Sequence, residues 1–281
     1  MTPDAKTPKV RASEAFEARL NAACAALSAG FFVSDAALVP VRFMERTIGR
    51  TDEAHARSAA RLPGASLRGG ALVLPQNLEA FGGAMRDAGL SQGWRGELLD
   101  LRVLEGVDAQ PGDVVGRMER ALFRPLGAAT AAVHLVGHLR RPASEADPVF
   151  ILGRRSASKL VGPGLWDGLA AGMIRAGESP AEGLAREAAE EAGLERIEAA
   201  DLCSLGRAWI SRPVRGGWMH EMSFAYALRL PEGWRPRPVD GEVEHFEAMS
   251  ALEVLELIEG GRMMKEAAQA MLLAFGRLLA S

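Results

Sequence analysis

The first half of the chain alternates between helical and strand-like spacing of its hydrophobic positions. From position 16 to 27, apolar side chains recur every three or four residues, which predicts an amphipathic helix that ends at Gly30. Later runs predict a pair of strands over 31–41, strands over 71–74 and 97–103, a helix over 77–88 and a further helix around 114–123. We therefore expect this half to form a small α+β unit.

The second half has longer apolar runs and a different order of elements. Its pattern predicts strands over 130–139, 148–153, 165–174, 200–211 and 221–230, with a loop between the last two, and closing helices over 253–259 and 265–279. Strands on both sides of an isolated helix, with more helices at the end, indicate a mixed α/β (α+β) layer fold. We place an accessory domain over 12–125 and a second domain over 126–281.

The isolated helix, over 180–192, is marked at both ends by capping residues. Ser179 is a favourable N-cap, Pro180 suits the first helical position, and Glu182 completes a Ser-x-x-Glu capping box. Gly193 supplies a C-terminal glycine. These signals predict a helix of about three turns.

Three glutamates lie on one face of this helix. Glu187, Glu190 and Glu191 fall within an arc of about 100°, opposite a stripe of leucine and alanine. Arg186, four residues before Glu190, can hold a carboxylate in one orientation, and Gly183 leaves space beside the acidic side chains. A solvated acidic face is the alternative, because like charges on an exposed helix repel by only about 0.2–0.5 kcal/mol per pair.

A cluster of carboxylates on a rigid helix suits Mg²⁺ or Mn²⁺, hard cations that also bind substrate phosphates. Arg154, Arg155 and Lys159, on the preceding strand and loop, are the candidates for contacting such phosphates. Each of these cations taken alone is also explained as a solvated surface charge. The sequence therefore points to a metal and phosphate site, with an ordinary charged surface as the alternative.

Composition narrows the class of protein. The 281 residues are 48% hydrophobic and 25% charged, with a formal net charge of -3, as in an ordinary globular protein. Without an excess of positive charge, we expect neither nucleic acid nor a membrane as a partner. Two cysteines, and an N-terminal region without the apolar run of a signal peptide, predict a cytoplasmic location.

The residues around the acidic helix resemble the Nudix family. Gly172, five residues, Glu178, seven residues and the run 186–194 (REAAEEAGL) match the family signature G-x5-E-x7-R-E-U-x-E-E-x-G-U, in which U is apolar. Every charged and glycine position of the signature is filled. The resemblance implies the Nudix fold, a mixed β-sheet sandwiched by helices, and Mg²⁺-dependent hydrolysis of a small-molecule diphosphate.

The same resemblance implies a role for each residue of the signature. The implied metal ligands are one backbone carbonyl and four carboxylates, those of Gly172, Glu178, Glu187, Glu190 and Glu191. Arg186 would orient a glutamate, and it forms the implied catalytic group with Glu190 and Glu191. Nudix enzymes take their general base from the signature or from a later loop, where Glu242 and Glu244 are the candidates. A solvated turn is the other interpretation of that loop.

Segments outside the signature resemble one branch of the family, the Nudix half of thiamine pyrophosphokinase-related proteins. These segments are 93–97, 131–140, 154–159, 163–172 and 240–246. The branch implies thiamine diphosphate, or a damaged form such as oxythiamine diphosphate, as substrate, and the monophosphate plus phosphate as products. Trp166, Trp209 and His220 are the candidates for contacting the organic group, and a place in the core is the alternative for each.

Other functions stay open. A nucleotide-type diphosphate of the ADP-ribose, NADH or coenzyme A class would need the same chemistry. Isomerisation of isopentenyl diphosphate is disfavoured, because Ala171 and Met173 stand where that isomerase has a cysteine and a histidine. A non-catalytic ligand sensor of the same fold generally loses the signature carboxylates, which this chain keeps.

The first half of the chain offers fewer signals. Trp94, Arg95 and Glu97 are candidates to reach across the domain boundary and cover the substrate, so that the N-terminal domain acts as a lid on the cleft. An interface core with one satisfied ion pair is the alternative. A homodimer is an open possibility for a member of this family.

Overall fold

In this computed structural model, which describes residues 14–139 and 148–279, the first half of the chain forms two small sheets. Its strands are β1 Val39–Phe43, β2 Arg46–Thr51, β3 Ser66–Arg68, β4 Ala71–Val73, β5 Leu98–Arg102 and β6 Val114–Glu119. Its helices are α1 Glu14–Ala29, α2 Glu53–Ala59, α3 Leu78–Asp87 and α4 Phe123–Leu126. One sheet has the order β2-β1-β4-β3, and β5 pairs with β6 as a separate two-stranded ribbon.

The second half forms one larger mixed sheet. Its strands are β7 Ala129–Leu139, β8 Val149–Arg155, β9 Trp166–Asp167, β10 Ala170–Met173, β11 Leu202–Val214, β12 Gly217–Arg229 and β13 Val243–Ser250. Its helices are α5 Pro180–Ala192, α6 Ala251–Glu259 and α7 Lys265–Leu278. The sheet order is β11-β12-β7-β8-β13, with β10 paired to β7 and β9 paired to β8. β7 is parallel to β12 and antiparallel to β8 and β10.

Helices cover both faces of this sheet. The apolar stripe of α5, including Leu184 and Ala188, packs against Val133 and Leu135 of β7. α6 and α7 cover the opposite face, where Phe150 of β8 is fully buried. Because α5 uses its apolar stripe for this packing, its acidic face lies against the backbone of β10 and the β10–α5 loop.

Helix α1 packs with the C-terminal helices. Phe16 lies against Phe275 of α7 with ring centroids 6.0 Å apart. Arg19 forms an ion pair with Glu259 at the end of α6, at 2.6 Å. The rest of the first half has its own hydrophobic cluster, made by β1, β2, β4–β6 and helices α2–α4. The domain boundary at 125/126 stays a prediction, and α1 lies across it in space.

The structure confirms the predicted fold class, a mixed sheet between helices that follows a separate α+β region. The predicted helices over 77–88, 180–192, 253–259 and 265–279 correspond to α3, α5, α6 and α7. These segments have clear caps or a strong apolar stripe, which local sequence alone specifies. In the part of the chain that the structure describes, no helix is long and apolar enough to cross a bilayer.

Two predictions in the first half are wrong. The segment 114–123 begins as strand β6, in which Met118 pairs with Leu99 of β5, and only its end is helical. The hydrogen bonds of the ribbon and the burial of Met118 override the helical spacing. The predicted strand pair over 31–41 is also wrong, since only Val39 onward is extended strand and Asp35 instead buries its carboxylate in a polar network.

Two further differences lie in the large sheet. The predicted single strand over 165–174 is two strands, because the chain changes its pairing partner from β8 to β7 near Gly168. A Cβ atom at Gly168 would lie 2.7 Å from the carbonyl oxygen of Leu135, so the crossing depends on glycine. The predicted loop between 211 and 221 is strand, since β11 and β12 continue to a tight turn at 215–216.

Candidate metal and diphosphate site

Helix α5 begins and ends as its capping residues predict. The Ser179 hydroxyl accepts a hydrogen bond from the Glu182 backbone N–H at 3.3 Å, and the Glu182 carboxylate accepts one from the Ser179 N–H at 2.8 Å. Gly193 ends the helix in the left-handed conformation, with φ of 68°. These two fixed ends set which side chains of α5 face β10.

Two signature carboxylates lie against the backbone of β10. Glu187 is so close to Gly172 that a Cβ atom at position 172 would stand 2.0 Å from its Oε1. Glu191, which is 6% exposed, accepts a hydrogen bond from the Ala171 N–H at 2.9 Å. Both side chains are therefore held by the strand as well as by the helix.

Arg186 connects three of the signature carboxylates. Its guanidinium donates two hydrogen bonds to Glu178, at 2.7 and 2.9 Å, one to Glu187 at 2.6 Å and one to Glu190 at 3.2 Å. A further hydrogen bond reaches the Met173 carbonyl at 2.9 Å. One partly buried cation thus fixes three carboxylates and the end of β10 in a single arrangement.

Burial disfavours the ionised form of two of these carboxylates. Burial raises the pKa of Glu187, although Arg186 acts in the opposite direction. Burial, and then the neighbouring Asp167 carboxylate, raise the pKa of Glu191 well above its ordinary value. The hydrogen bonds from Arg186 instead lower the pKa of Glu178. A hard cation beside Glu187 and Glu191 would reverse their shifts by stabilising the ionised form.

A second acidic segment completes the site from the loop before β13. One oxygen from each of Glu191, Asp240 and Glu242 lies within 4.8 Å of the others. Asp240 also accepts a hydrogen bond from the Glu242 backbone N–H at 2.8 Å, which shapes this turn. Glu244 has an exposed side chain beside His245, outside this group. Of the two later candidates, Glu242 is the one that meets the signature helix.

Two cations hold Glu242. Arg95 donates to its Oε1 at 2.9 Å, and Lys159 donates to its Oε2. Although burial raises it, these hydrogen bonds lower the pKa of Glu242 to about 2. Glu242 is therefore ionised across the neutral range, and it bridges the first half of the chain to the loop after β8.

The three predicted phosphate contacts occupy different positions. Lys159 alone among them contacts the acidic group, through Glu242. Arg155 pairs with Asp167 at 2.7 Å and donates to the Val161 carbonyl, which fixes the loop that carries Lys159. The guanidinium of Arg154 lies over the ring of Trp166, 5.2 Å from its centroid.

The structure does not bring the predicted aromatic contacts to the carboxylates. Trp166 is buried in the core beneath α6 and α7. Trp209 stacks on His220, with ring centroids 5.9 Å apart, and His220 is fully buried. The His220 Nδ1 hydrogen-bonds with the Gly127 carbonyl at 2.7 Å, and its Nε2 with Asp35 at 3.1 Å. The roles of these three residues in substrate binding stay predictions. Their placement agrees with the alternative, a place in the core.

Two residues at the site were not assigned from the sequence, and Arg95 was expected there only as a candidate to cover the substrate. Asp240 joins the acidic group, Arg175 lies 3.4 Å from Glu190, and Arg95 reaches the site from the first half. The Asp-Gly pair at 240–241 signals a turn, which could have drawn attention to Asp240. Arg175 carries no local signal, and the contact of Arg95 with Glu242 arises only from the packing of distant segments.

The fold is a mixed β-sheet between helices. At the site, a capped helix places glutamate carboxylates beside arginine and lysine side chains. A protein-family model described as NUDIX domain matches residues 132–269, which include α5 and the segment with Asp240 and Glu242. Residues 132–269 are therefore a Nudix domain. The thiamine pyrophosphokinase-related branch stays a prediction.

Two plant proteins are similar to part of the chain. Nudix hydrolase 20, chloroplastic, of Arabidopsis thaliana is 30% identical over 173 residues, which is 62% of this chain and 44% of that protein. Nudix hydrolase 24, chloroplastic, of the same plant is 28% identical over 158 residues, 56% of this chain and 42% of that protein. The chain thus spans less than half the length of either relative. The solved structure of DR0079 from Deinococcus radiodurans is 21% identical, with a TM-score of 0.46, and the match covers 65% of this chain and 99% of that one.

Proposed function

We propose that the chain hydrolyses the diphosphate linkage of a small molecule, with Mg²⁺ or Mn²⁺ held by the signature carboxylates. The observation that carries the proposal is the burial of Glu187 and Glu191 against β10, beside Arg186 and Glu190. The Nudix domain, and relatives that are named Nudix hydrolases, support a pyrophosphate hydrolase.

The residues at the site fit a hard divalent cation. All the donors are oxygens, and the missing side chain of Gly172 leaves the backbone open to Glu187. The residues that would hold the cation are those of the signature, namely Gly172 through its carbonyl, Glu178, Glu187, Glu190 and Glu191. When bound, the cation supplies neutralisation of phosphate charge and a water of lowered pKa.

The chain itself supplies orientation, charge and a proton acceptor. Arg186 keeps the carboxylates in place before the substrate arrives. Lys159 offers its ammonium group to a substrate phosphate, while Arg155 secures its loop. Glu242 is the proposed general base. Because two cations now hold it, Glu242 accepts a proton from water only after the substrate phosphates have drawn those cations away.

For the organic group we propose thiamine diphosphate or its oxythiamine form, cleaved to the monophosphate and phosphate. The support is the resemblance of the segments 93–97, 131–140, 154–159 and 163–172 to the thiamine pyrophosphokinase-related branch. A cytoplasmic location is part of the same proposal, and the free thiols of Cys24 and Cys203 are consistent with a reducing compartment.

A substrate panel tests this proposal. Phosphate release with Mg²⁺ is measured for thiamine diphosphate, oxythiamine diphosphate, isopentenyl diphosphate, a nucleoside triphosphate, and ADP-ribose, NADH and coenzyme A with added phosphatase. We expect the highest kcat/KM for a thiamine compound. Preference for a nucleotide compound would overturn the proposed thiamine group, but it would support hydrolysis of a diphosphate linkage. If no compound reacts while the protein is folded and binds Mg²⁺, the chain is a ligand sensor and the proposal is wrong.

A further inference from the structure

The loop over 91–96 carries the first half of the chain to the metal and diphosphate site. The Arg95 backbone N–H donates to Oε1 of Glu119 at 3.0 Å, and Glu119 is itself 6% exposed. Gly93 and Gly96 on either side have φ of 75° and 72°, a backbone conformation that favours glycine. The loop is therefore fixed by a buried acceptor, and it directs the Arg95 side chain outward.

The side chain of Arg95 lies among the acidic groups of the Nudix domain. Its Nη1 is 2.9 Å from Oε1 of Glu242, whose other oxygen contacts Lys159. The Glu242 carboxylate raises the pKa of Arg95, and Glu97 and Glu187 add smaller effects in the same direction. Arg95 is thus within electrostatic reach of both the signature helix and the loop before β13.

The ribbon next to this loop also supports the start of the signature helix. The Ala176 N–H donates to the Leu98 carbonyl at 2.9 Å, and the Gly177 N–H donates to the Asp100 carboxylate at 3.2 Å. Both acceptors belong to β5, immediately after the 91–96 loop. The position of Arg95 is therefore fixed relative to the β10–α5 loop, which carries Glu178.

We propose that Arg95 is a substrate-binding residue of the Nudix site: with Lys159 it holds the Glu242 carboxylate, and it transfers this contact to the diphosphate of the substrate. This inference rests on the proposed function. A diphosphate carries more charge than a carboxylate and offers several oxygens to the planar fork of a guanidinium, so it displaces Glu242 from Arg95.

A purely structural ion pair explains this arrangement less well. The Arg95 side chain is 44% exposed, and ion pairs that are so exposed contribute little to stability. The same exposure leaves the guanidinium open to a ligand. Release of Glu242 from Arg95 and Lys159 also frees the carboxylate that we propose as the general base, so substrate binding and activation of the base are one event.

The experiment compares the full chain with three variants, Arg95→Ala, Arg95→Lys and Arg86→Ala. Arg86 is the matched control, because it is an exposed arginine near the same loop that lies over the Trp94 ring, 4.8 Å from its centroid. The probe is imidodiphosphate with Mg²⁺, followed by calorimetry, because its P–N–P bridge resists hydrolysis. KM and kcat are measured for the compound that the parent cleaves best, and thermal unfolding checks that each variant is folded.

We expect Arg95→Ala to weaken imidodiphosphate binding at least about tenfold, the loss of one charge-assisted hydrogen bond. KM should rise by a similar factor, while kcat should stay within about threefold. Arg95→Lys should recover part of the affinity, and Arg86→Ala should match the parent. Unchanged affinity and KM in Arg95→Ala would overturn the inference, as would a fall in kcat alone. A parent that neither cleaves a panel compound nor binds the probe would contradict the proposed function itself.

Discussion

The Glu187 carboxylate lies directly over the backbone of Gly172, where a Cβ atom would stand 2.0 Å from Oε1. No side chain fits in that space without moving the carboxylate. Gly172 is paired in register with Val133 of β7, so the strand cannot shift to relieve the contact. The absence of a side chain at one residue of β10 thus determines where a proposed metal ligand lies.

Replacing Gly172 by alanine is therefore expected to damage the site more than the fold. The methyl group displaces Glu187, and we expect Mn²⁺ affinity, measured by electron paramagnetic resonance, to fall at least about tenfold. Gly83→Ala in α3 is the matched control, because a Cβ atom there meets nothing within 4 Å. The control should keep its affinity and gain up to about 1 kcal/mol of stability. Equal Mn²⁺ affinity in both variants would contradict this account.

Arg186→Met tests the cation that connects the carboxylates. The Arg186 side chain is 15% exposed, and its loss leaves Glu178 and Glu187 without their main partner. We expect the free energy of unfolding in urea to fall by about 3 kcal/mol, the lower end for breaking a buried ion pair. Arg57→Met, which breaks an exposed pair with Glu53, should change it little. Similar small losses in both variants would show that Arg186 does not hold the group together.

Asp240→Asn tests whether the loop before β13 contributes to cation binding. Asp240 places an oxygen within 4.8 Å of oxygens of Glu191 and Glu242, and an amide is a weaker ligand than a carboxylate. We expect the Kd for Mn²⁺ to rise at least about tenfold, because a charged oxygen beside Glu191 and Glu242 is lost. The control is Glu244→Gln on the same segment, whose side chain is 61% exposed. If the two variants bind Mn²⁺ alike, Asp240 is only a turn residue.

The buried His220 predicts a pH dependence of stability. Burial lowers the pKa of His220, although the hydrogen bond with the Gly127 carbonyl and the Asp35 carboxylate oppose this, so the ring in the folded protein binds a proton less readily than in the unfolded chain. Stability contributed by His220 is then complete above the unfolded pKa of about 6.5 and is lost as the pH falls below it.

Urea unfolding at pH 7.5 and at pH 5.5 measures this effect. We expect the parent to lose more stability between these two pH values than His220→Gln does. His245→Gln is the control, because the His245 side chain is 45% exposed, and it should follow the parent. A His220→Gln variant that shows the full pH dependence of the parent would contradict this assignment.

Much of the acidic helix could be predicted from the sequence, because its determinants are local. Ser179, Glu182 and Gly193 specify the two ends of α5, and the spacing of Glu187 and Glu190 specifies a common face. The family resemblance also pointed to the later loop with Glu242 and Glu244, whereas the contact of Glu242 with Lys159 came only from the structure.

The parts that could not be predicted depend on packing between distant segments. Arg95 and Glu242 are 147 positions apart, and no periodicity connects them. The change of partner at Gly168 arises from a close approach to Leu135, which the sequence does not encode locally. Trp209 and His220 stack within the sheet because β11 and β12 are longer than their apolar runs suggest. Aromatic content alone therefore could not separate a pocket residue from a core residue.

Phosphate release by Glu190→Gln tests the central claim most directly. The parent, Glu190→Gln and the control Glu195→Gln, an exposed glutamate just after α5, are compared on the best diphosphate substrate with Mg²⁺ and with excess chelator. We expect kcat to fall at least about a hundredfold in Glu190→Gln, while its thermal unfolding stays near that of the parent. Excess chelator should abolish turnover by the parent and by the control. Equal turnover by Glu190→Gln and the parent, or turnover that survives the chelator, would contradict the central claim.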